Sequence, residues 1–273
     1  MKKILFTCFL FFFIVPVSAK EIKIVGLGDS ITTGFGTEHG YFKQICETFE
    51  KNDSKDTIIC QNFAVDGLTS TGLLEQIQTP EIKENITQAD YIFMSIGGND
   101  FLKEMSALLG MDTASLQPET IKQIGDTLLS NMETIYTILF TYQKDVVLSV
   151  VPLYDPYYTI IQKLPLLQES FEDIQKRYIS LGNSYQAHVS ETLGFTLENH
   201  KYLQAGVVKI DPHPNTEGHT LIRKELWKSI QTKESKKENI HHSFLYILII
   251  VLLFIFLIFL YKYARAKKQK IEK

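Results

Sequence analysis

The chain has 273 residues, a formal net charge of −3 and three cysteines. The charge is uneven: residues 20–232 carry 17 Lys+Arg against 28 Asp+Glu, a net of −11, while the first 19 residues contribute +2 and the last 41 contribute +6. An acidic body lacks the clustered Lys and Arg of a nucleic-acid binder, and three cysteines with no CxxC exclude a disulfide scaffold and a zinc finger.

At the N-terminus, Lys2 and Lys3 precede an apolar run from Ile4 to Val15, then Pro16 and the small-residue pattern Val17-Ser18-Ala19. This predicts a secretory signal peptide over 1–19, cleaved after Ala19. An uncleaved anchor is the alternative, disfavoured because the run is short for a span. Cys8 lies inside the run, not at a lipoprotein cleavage site. The exported body then covers 20–232, enough for one α/β domain.

Along that body, Ile22–Leu27 predicts a buried strand, Tyr41–Lys51 a helix, Thr57–Phe63 a second strand and Leu73–Ile77 a short helix. A third strand is expected at Tyr91–Ile96. Apolar residues at Ile121, Ile124, Leu128, Met132, Ile135 and Leu139 place a long amphipathic helix over Glu119–Tyr142. Asp145–Val151 reads as a fourth strand. A second long helix follows Leu167, Phe171, Ile174, Tyr178, Leu181, Tyr185 and Val189. Phe195–Leu197 reads as a short fifth strand, and Thr216–Ile230 as a closing helix. Short apolar strands alternating with amphipathic helices imply a parallel sheet covered on both faces.

The C-terminal part predicts a polar stalk over 233–243, which includes His241 and His242. A transmembrane helix is expected over Phe244–Tyr261, uninterrupted apolar and aromatic sequence, and a basic tail over 262–273. Lys262, Arg265, Lys267, Lys268 and Lys270 after the span put the tail in the cytoplasm and the body outside. Cys46 and Cys60 in that compartment are compatible with a disulfide or with two free thiols.

In a sheet of this class the chemistry sits beyond the carboxyl ends of the strands. Those ends carry Gly28-Asp29-Ser30, Asn62 to Thr69, Gly97-Gly98-Asn99-Asp100 and, near the end of the body, Asp211-Pro212-His213-Pro214-Asn215. Singly each has a plain structural reading: Ser30 as a helix cap, Gly67 as a turn glycine, Asn99 as part of a loop, His213 as a turn residue. Together they supply a hydroxyl nucleophile (Ser30), a base (His213) and three oxyanion donors: the N–H groups of Ser30 and Gly67 and the Asn99 amide.

These four segments resemble blocks I, II, III and V of the GDSL/SGNH hydrolase superfamily, in order and spacing, across nearly the whole exported body. The branch they look most like is the Gram-positive lipase/acylhydrolase one. The resemblance implies a three-layer α/β/α sandwich around a central parallel sheet. It also implies hydrolysis of carboxylic esters through an acyl-serine, with no cofactor and no metal. Gly-x-Ser-x-Gly, His-Glu-x-x-His and the P-loop pattern are absent.

One position departs from the family. The acid usually lies three residues before the histidine, where this chain has Ile210, and Asp211 lies two before. Either Asp211 or a backbone carbonyl orients His213, and Asp211 is favoured because it needs only a local loop adjustment. Asp29 reads as structural and His219 as helix packing. Tyr154–Leu167 reads as a lid or acyl pocket, or as a loop packed on the domain. The expected protein is a membrane-tethered extracellular esterase or lipase acting on ester-containing lipid. An O-acetyl esterase acting on cell-wall polysaccharide (an acylated glycan) and a non-catalytic tethered binding module are the alternatives.

Overall fold

Strand β1 (Glu21–Gly28) is buried along almost its whole length, as a central parallel strand must be. The structure is a computed structural model that describes residues 19–52, 55–101, 117–204 and 211–271. The expected signal peptide falls on residues outside the described ones, apart from Ala19, as does Ile210. β1 pairs with β2 (Thr57–Asn62) on one side and β3 (Tyr91–Ser95) on the other; β4 (Val147–Val151) and a two-residue β5 (His188–Val189) complete a five-stranded parallel sheet in the order β2-β1-β3-β4-β5. Register pairs Gly28 with Ser95 and Ser95 with Val151. The carboxyl ends of β1, β3 and β4 therefore lie level, and the order reverses beside β1. That reversal is the crevice in which open α/β sheets bind ligands.

Helices α1 (Ser30–Thr33), α2 (Tyr41–Asn52), α3 (Ser70–Gln76), α4 (Pro80–Gln88) and α5 (Pro118–Tyr142) precede β4; α6 (Tyr158–Ile161) and α7 (Pro165–Ser184) follow it; α8 (Leu193–Leu197) and α9 (Thr216–Ile271) come after β5. Two apolar cores cover the sheet. On one face α5 contributes Ile121, Leu128, Met132, Ile135 and Leu139, and α7 contributes Leu167, Phe171, Ile174 and Tyr178. On the other, Tyr41, Ile45 and Phe49 of α2 meet Ile222, Leu226 and Ile230 of α9. Each of these buried aliphatic residues is worth about 2–5 kcal/mol against alanine. The three-layer α/β/α arrangement expected from the sequence is present.

Four expectations need correction. Phe195–Leu197 belongs to helix α8, not to a strand; the fifth strand is His188–Val189. The long helix expected to reach Val189 stops at Ser184, because Gln186 turns the chain with φ +61° and Val189 enters the sheet. Helix α4 was not foreseen: Pro80 at its first turn starts it, and only Ile82 and Ile86 are buried, a thin signal. Helix α9 does not end near Ile230 but runs on to Ile271, 56 residues in all, so the backbone of the expected stalk at 233–243 is helical.

Among the described residues no helix is long and apolar enough to cross a membrane, and the transmembrane helix expected over Phe244–Tyr261 is not found there. The described side chains from Tyr246 to Ile258 are apolar and exposed. Cys46 on α2 and Cys60 on β2 form a disulfide, with Cα atoms 6.4 Å apart, which decides between the two readings of these thiols.

Candidate active site

Strand β1 ends where only glycine fits. Gly28 has φ +106°, and a Cβ there would lie 1.8 Å from the Ser95 carbonyl oxygen. The next residue, Asp29, caps α1: its Oδ1 accepts the Ile31 N–H at 3.1 Å and the Ser95 hydroxyl at 2.6 Å. Since Ser95 donates to Asp29, Thr32 Oγ1 must donate to Ser95 (2.6 Å) and Tyr41 to Thr32 (2.8 Å), a buried chain of hydroxyls behind the helix. Burial pushes the Asp29 carboxyl up to about 7 despite these donors. The structural role expected for Asp29 holds, and it leaves Ser30 as the first residue of α1 at the sheet edge.

His213 reaches Ser30 from the other end of the chain. Its Nε2 is 2.9 Å from Ser30 Oγ, and its Nδ1 is 2.6 Å from Asp211 Oδ1. The same Asp211 oxygen accepts the His213 main-chain N–H at 2.9 Å. That is an Asx turn, in which an aspartate bonds the backbone two residues on. It explains how an acid two positions before the histidine, rather than three, still reaches the ring. With Nδ1 donating to the carboxylate, Nε2 is the acceptor for the Ser30 hydroxyl. His219 is fully buried, accepts the Tyr41 N–H through Nδ1 at 3.2 Å, and is pushed down to about 4 by burial, so it stays neutral packing.

The three expected oxyanion donors come from three strand ends. The N–H groups of Ser30 and Gly67 donate to no described group. Asn99 Nδ2 donates to the Leu68 carbonyl at 2.9 Å, which uses one of its two hydrogens and leaves the other. Asp100 accepts the Ser70 N–H at 3.0 Å and the Ser70 hydroxyl, so the loops carrying Gly67 and Asn99 are fastened together. Gly67 is exposed and does not line the cavity described next. A Cβ at Gly67 would meet nothing within 4 Å, so it is φ +79°, not space, that demands glycine.

An apolar cavity of about 140 Å³ opens beside Ser30, Asn99 and His213. Its walls include Ile96, Phe101, Leu153, Tyr154, Tyr157 and Phe171. Tyr154 and Tyr157 are the start of the segment expected as a lid or pocket; both are buried, so this part is fixed wall. The Tyr154 hydroxyl donates to the Pro212 carbonyl, tying the wall to the histidine loop. Phe171 was legible only as one residue of a helix face. Phe35 was not singled out at all, yet its ring lies 4.6 Å from the His213 ring. The only sequence signal for it was a large apolar residue in a loop of small ones. Among the described residues no group of three or more His, Cys, Asp or Glu is placed to hold a metal ion.

Comparison with known proteins agrees with this geometry. The profile of the GDSL-like Lipase/Acylhydrolase family matches residues 27–221. YpmR, an uncharacterized protein of Bacillus subtilis (strain 168), is 25% identical over 226 residues, covering 80% of this chain and 85% of that protein. The lipase Lip_vut3 from a goat rumen metagenome superposes with a TM-score of 0.63 at 20% identity, over 76% of this chain and 96% of that one. An extracellular lipase of Streptomyces rimosus superposes with a TM-score of 0.58 at 14% identity, over 76% and 99%. By the family profile that spans most of its length, with Ser30, Asn99 and His213 lining one cavity, the chain belongs to the GDSL-like lipase/acylhydrolase family of carboxylic ester hydrolases.

Proposed function

We propose that the protein is a serine esterase that works through an acyl-serine at Ser30. The carrying observation is the unbroken hydrogen-bond chain from Ser30 Oγ through His213 to Asp211. Ser30 attacks the ester carbonyl while His213 Nε2 takes its proton. Asp211 holds the ring and stabilises the imidazolium. The N–H groups of Ser30 and Gly67 and the free Asn99 amide hydrogen receive the oxyanion. His213 returns the proton to the leaving alcohol, and a water activated by the same nitrogen releases the acid. A non-catalytic binding module has no need of this chain.

The cavity walls favour an apolar acyl group over acetyl. An apolar cavity of about 150 Å³ holds a benzene-sized guest. Short to medium acyl chains therefore fit inside, and longer ones must continue through the mouth. Lipid esters suit this better than O-acetylated wall glycans, whose acyl group would leave most of the cavity empty.

We also infer that the protein works outside the cytoplasm, held to the membrane by α9. The disulfide supports an oxidising compartment. The exposed apolar side chains from Tyr246 to Ile258 form more unshielded surface than a free protein carries. Carbonate extraction and protease protection of the full chain in cells test this placement; a washed-off or protected body would overturn it. The activity test is hydrolysis of nitrophenyl esters from acetyl to palmitoyl by the full chain in detergent, beside Ser30→Ala. Serine-dependent turnover with an optimum beyond acetyl is expected. Turnover unchanged in Ser30→Ala would sink the mechanism.

A further inference from the structure

The two sides of Ser30 differ. The enclosed cavity lies toward β3 and β4 and accounts for the acyl group. Phe35 does not line that cavity; the residue is 46% exposed, and its ring packs 4.6 Å from the His213 ring at 40°. Val65, 47% exposed, belongs to the adjoining loop, which is joined to this one by the Thr33 hydroxyl donating to Asp66 at 2.6 Å. A large apolar side chain left in water on a loop normally turns inward or is mobile. The Phe35 backbone is instead bonded on both sides, and its ring rests against the His213 ring. Its N–H donates to the Ser30 carbonyl at 3.0 Å, and its carbonyl accepts the Gln204 amide at 2.9 Å. The Gln204 main-chain N–H donates in turn to the His213 carbonyl at 2.9 Å. One residue, Gln204, thus ties the Phe35 loop to the histidine loop.

We propose that Phe35 is the leaving-group contact, a specificity-determining residue that selects esters of apolar alcohols. This role presupposes the esterase activity proposed above. In that reading His213 Nε2 must deliver its proton to the alcohol oxygen, so the alcohol departs beside the imidazole. The face of the ring available there is flanked by Phe35, and an aryl or alkyl group laid on it loses water contact at little entropic cost because Phe35 is already held. A polyhydroxylated alcohol gains nothing from that surface and gives up hydration to reach it.

The test uses the full chain in detergent and butyrate esters of two alcohols of matched acidity, benzyl alcohol and 2-methoxyethanol. The readout is the ratio of their kcat/KM values. For the parent the ratio favours benzyl, and Phe35→Ala lowers the ratio by about two- to tenfold, the worth of an aromatic contact. Phe35→Tyr keeps the ratio. The acyl preference, measured as acetyl against butyrate with one alcohol, is unchanged by either variant. Equal losses on both alcohols in Phe35→Ala would mean that Phe35 only props His213, and would overturn the proposal. Failure of the esterase reading has a separate signature, activity that survives Ser30→Ala.

Discussion

Asp211 grips His213 twice through a single oxygen, the ring Nδ1 at 2.6 Å and the main-chain N–H at 2.9 Å. Asp211→Asn keeps an acceptor for the main-chain bond, so the loop holds its shape. The amide, however, can present an N–H to the ring and favour the wrong tautomer. We expect kcat to fall roughly a thousandfold or more at neutral pH, with KM little changed, as loss of a triad acid does. Steady-state kinetics check this. A loss under tenfold would move the orienting role to a backbone carbonyl.

Asn99 has two roles, a bond to Leu68 and a free hydrogen at the cavity edge. Asn99→Ala is expected to lower kcat by roughly a hundredfold or more. It should also lower stability by about 1 kcal/mol through the lost Leu68 bond. Kinetics and thermal unfolding on the same preparation separate the two effects.

Asp155 lies behind the cavity wall, buried, with its N–H donating to Glu198 Oε1 at 3.3 Å and its Oδ1 accepting the Tyr157 N–H at 2.8 Å. Gln175 donates to Glu198 at 2.8 Å, and Glu172 lies across the same small hollow. Burial first, and the Glu198 charge after it, push Asp155 from 3.8 up to about 7. A raised acid binds its proton more tightly in the folded state. Its stabilising effect is complete below about pH 4 and lost as pH rises through about 7. Asp155→Asn should therefore be more stable than the parent at pH 8, by on the order of 1 kcal/mol or more. At pH 4 that advantage should be absent. Thermal unfolding at the two pH values reads this directly, and an equal effect at both would show that Asp155 is ionised throughout.

The disulfide spans 14 positions between Cys46 and Cys60. Closing a loop of that size is worth about 3 kcal/mol in the chain-entropy description. Cys46→Ser combined with Cys60→Ser should lower Tm by on the order of 10 °C. Activity at low temperature should survive, since neither sulfur touches the site.

The sheet, most helices and the four functional segments were legible in the sequence for one reason. Periodic burial and strand-end chemistry are local, written in residues a few positions apart. The misread elements are short or change course without a periodic cue. Phe195–Leu197 is apolar enough for either state, and the turn at Gln186 depends on a single φ. The family's usual position for the acid holds Ile210; the sequence favoured Asp211 over a backbone carbonyl, and the turn through Pro212 brings that carboxylate to the ring.

By itself the sequence determined that this is a parallel α/β protein presenting Ser30, Gly67 and Asn99 just after strand ends, because each of these is fixed to its strand by a few covalent steps, with His213 near the end of the body. Only the tertiary structure decided that His213 closes on Ser30 across 183 residues, that Cys46 bonds Cys60, and that Phe35 lies on the imidazole. Those are meetings of residues far apart along the chain, and packing sets them, not propensity.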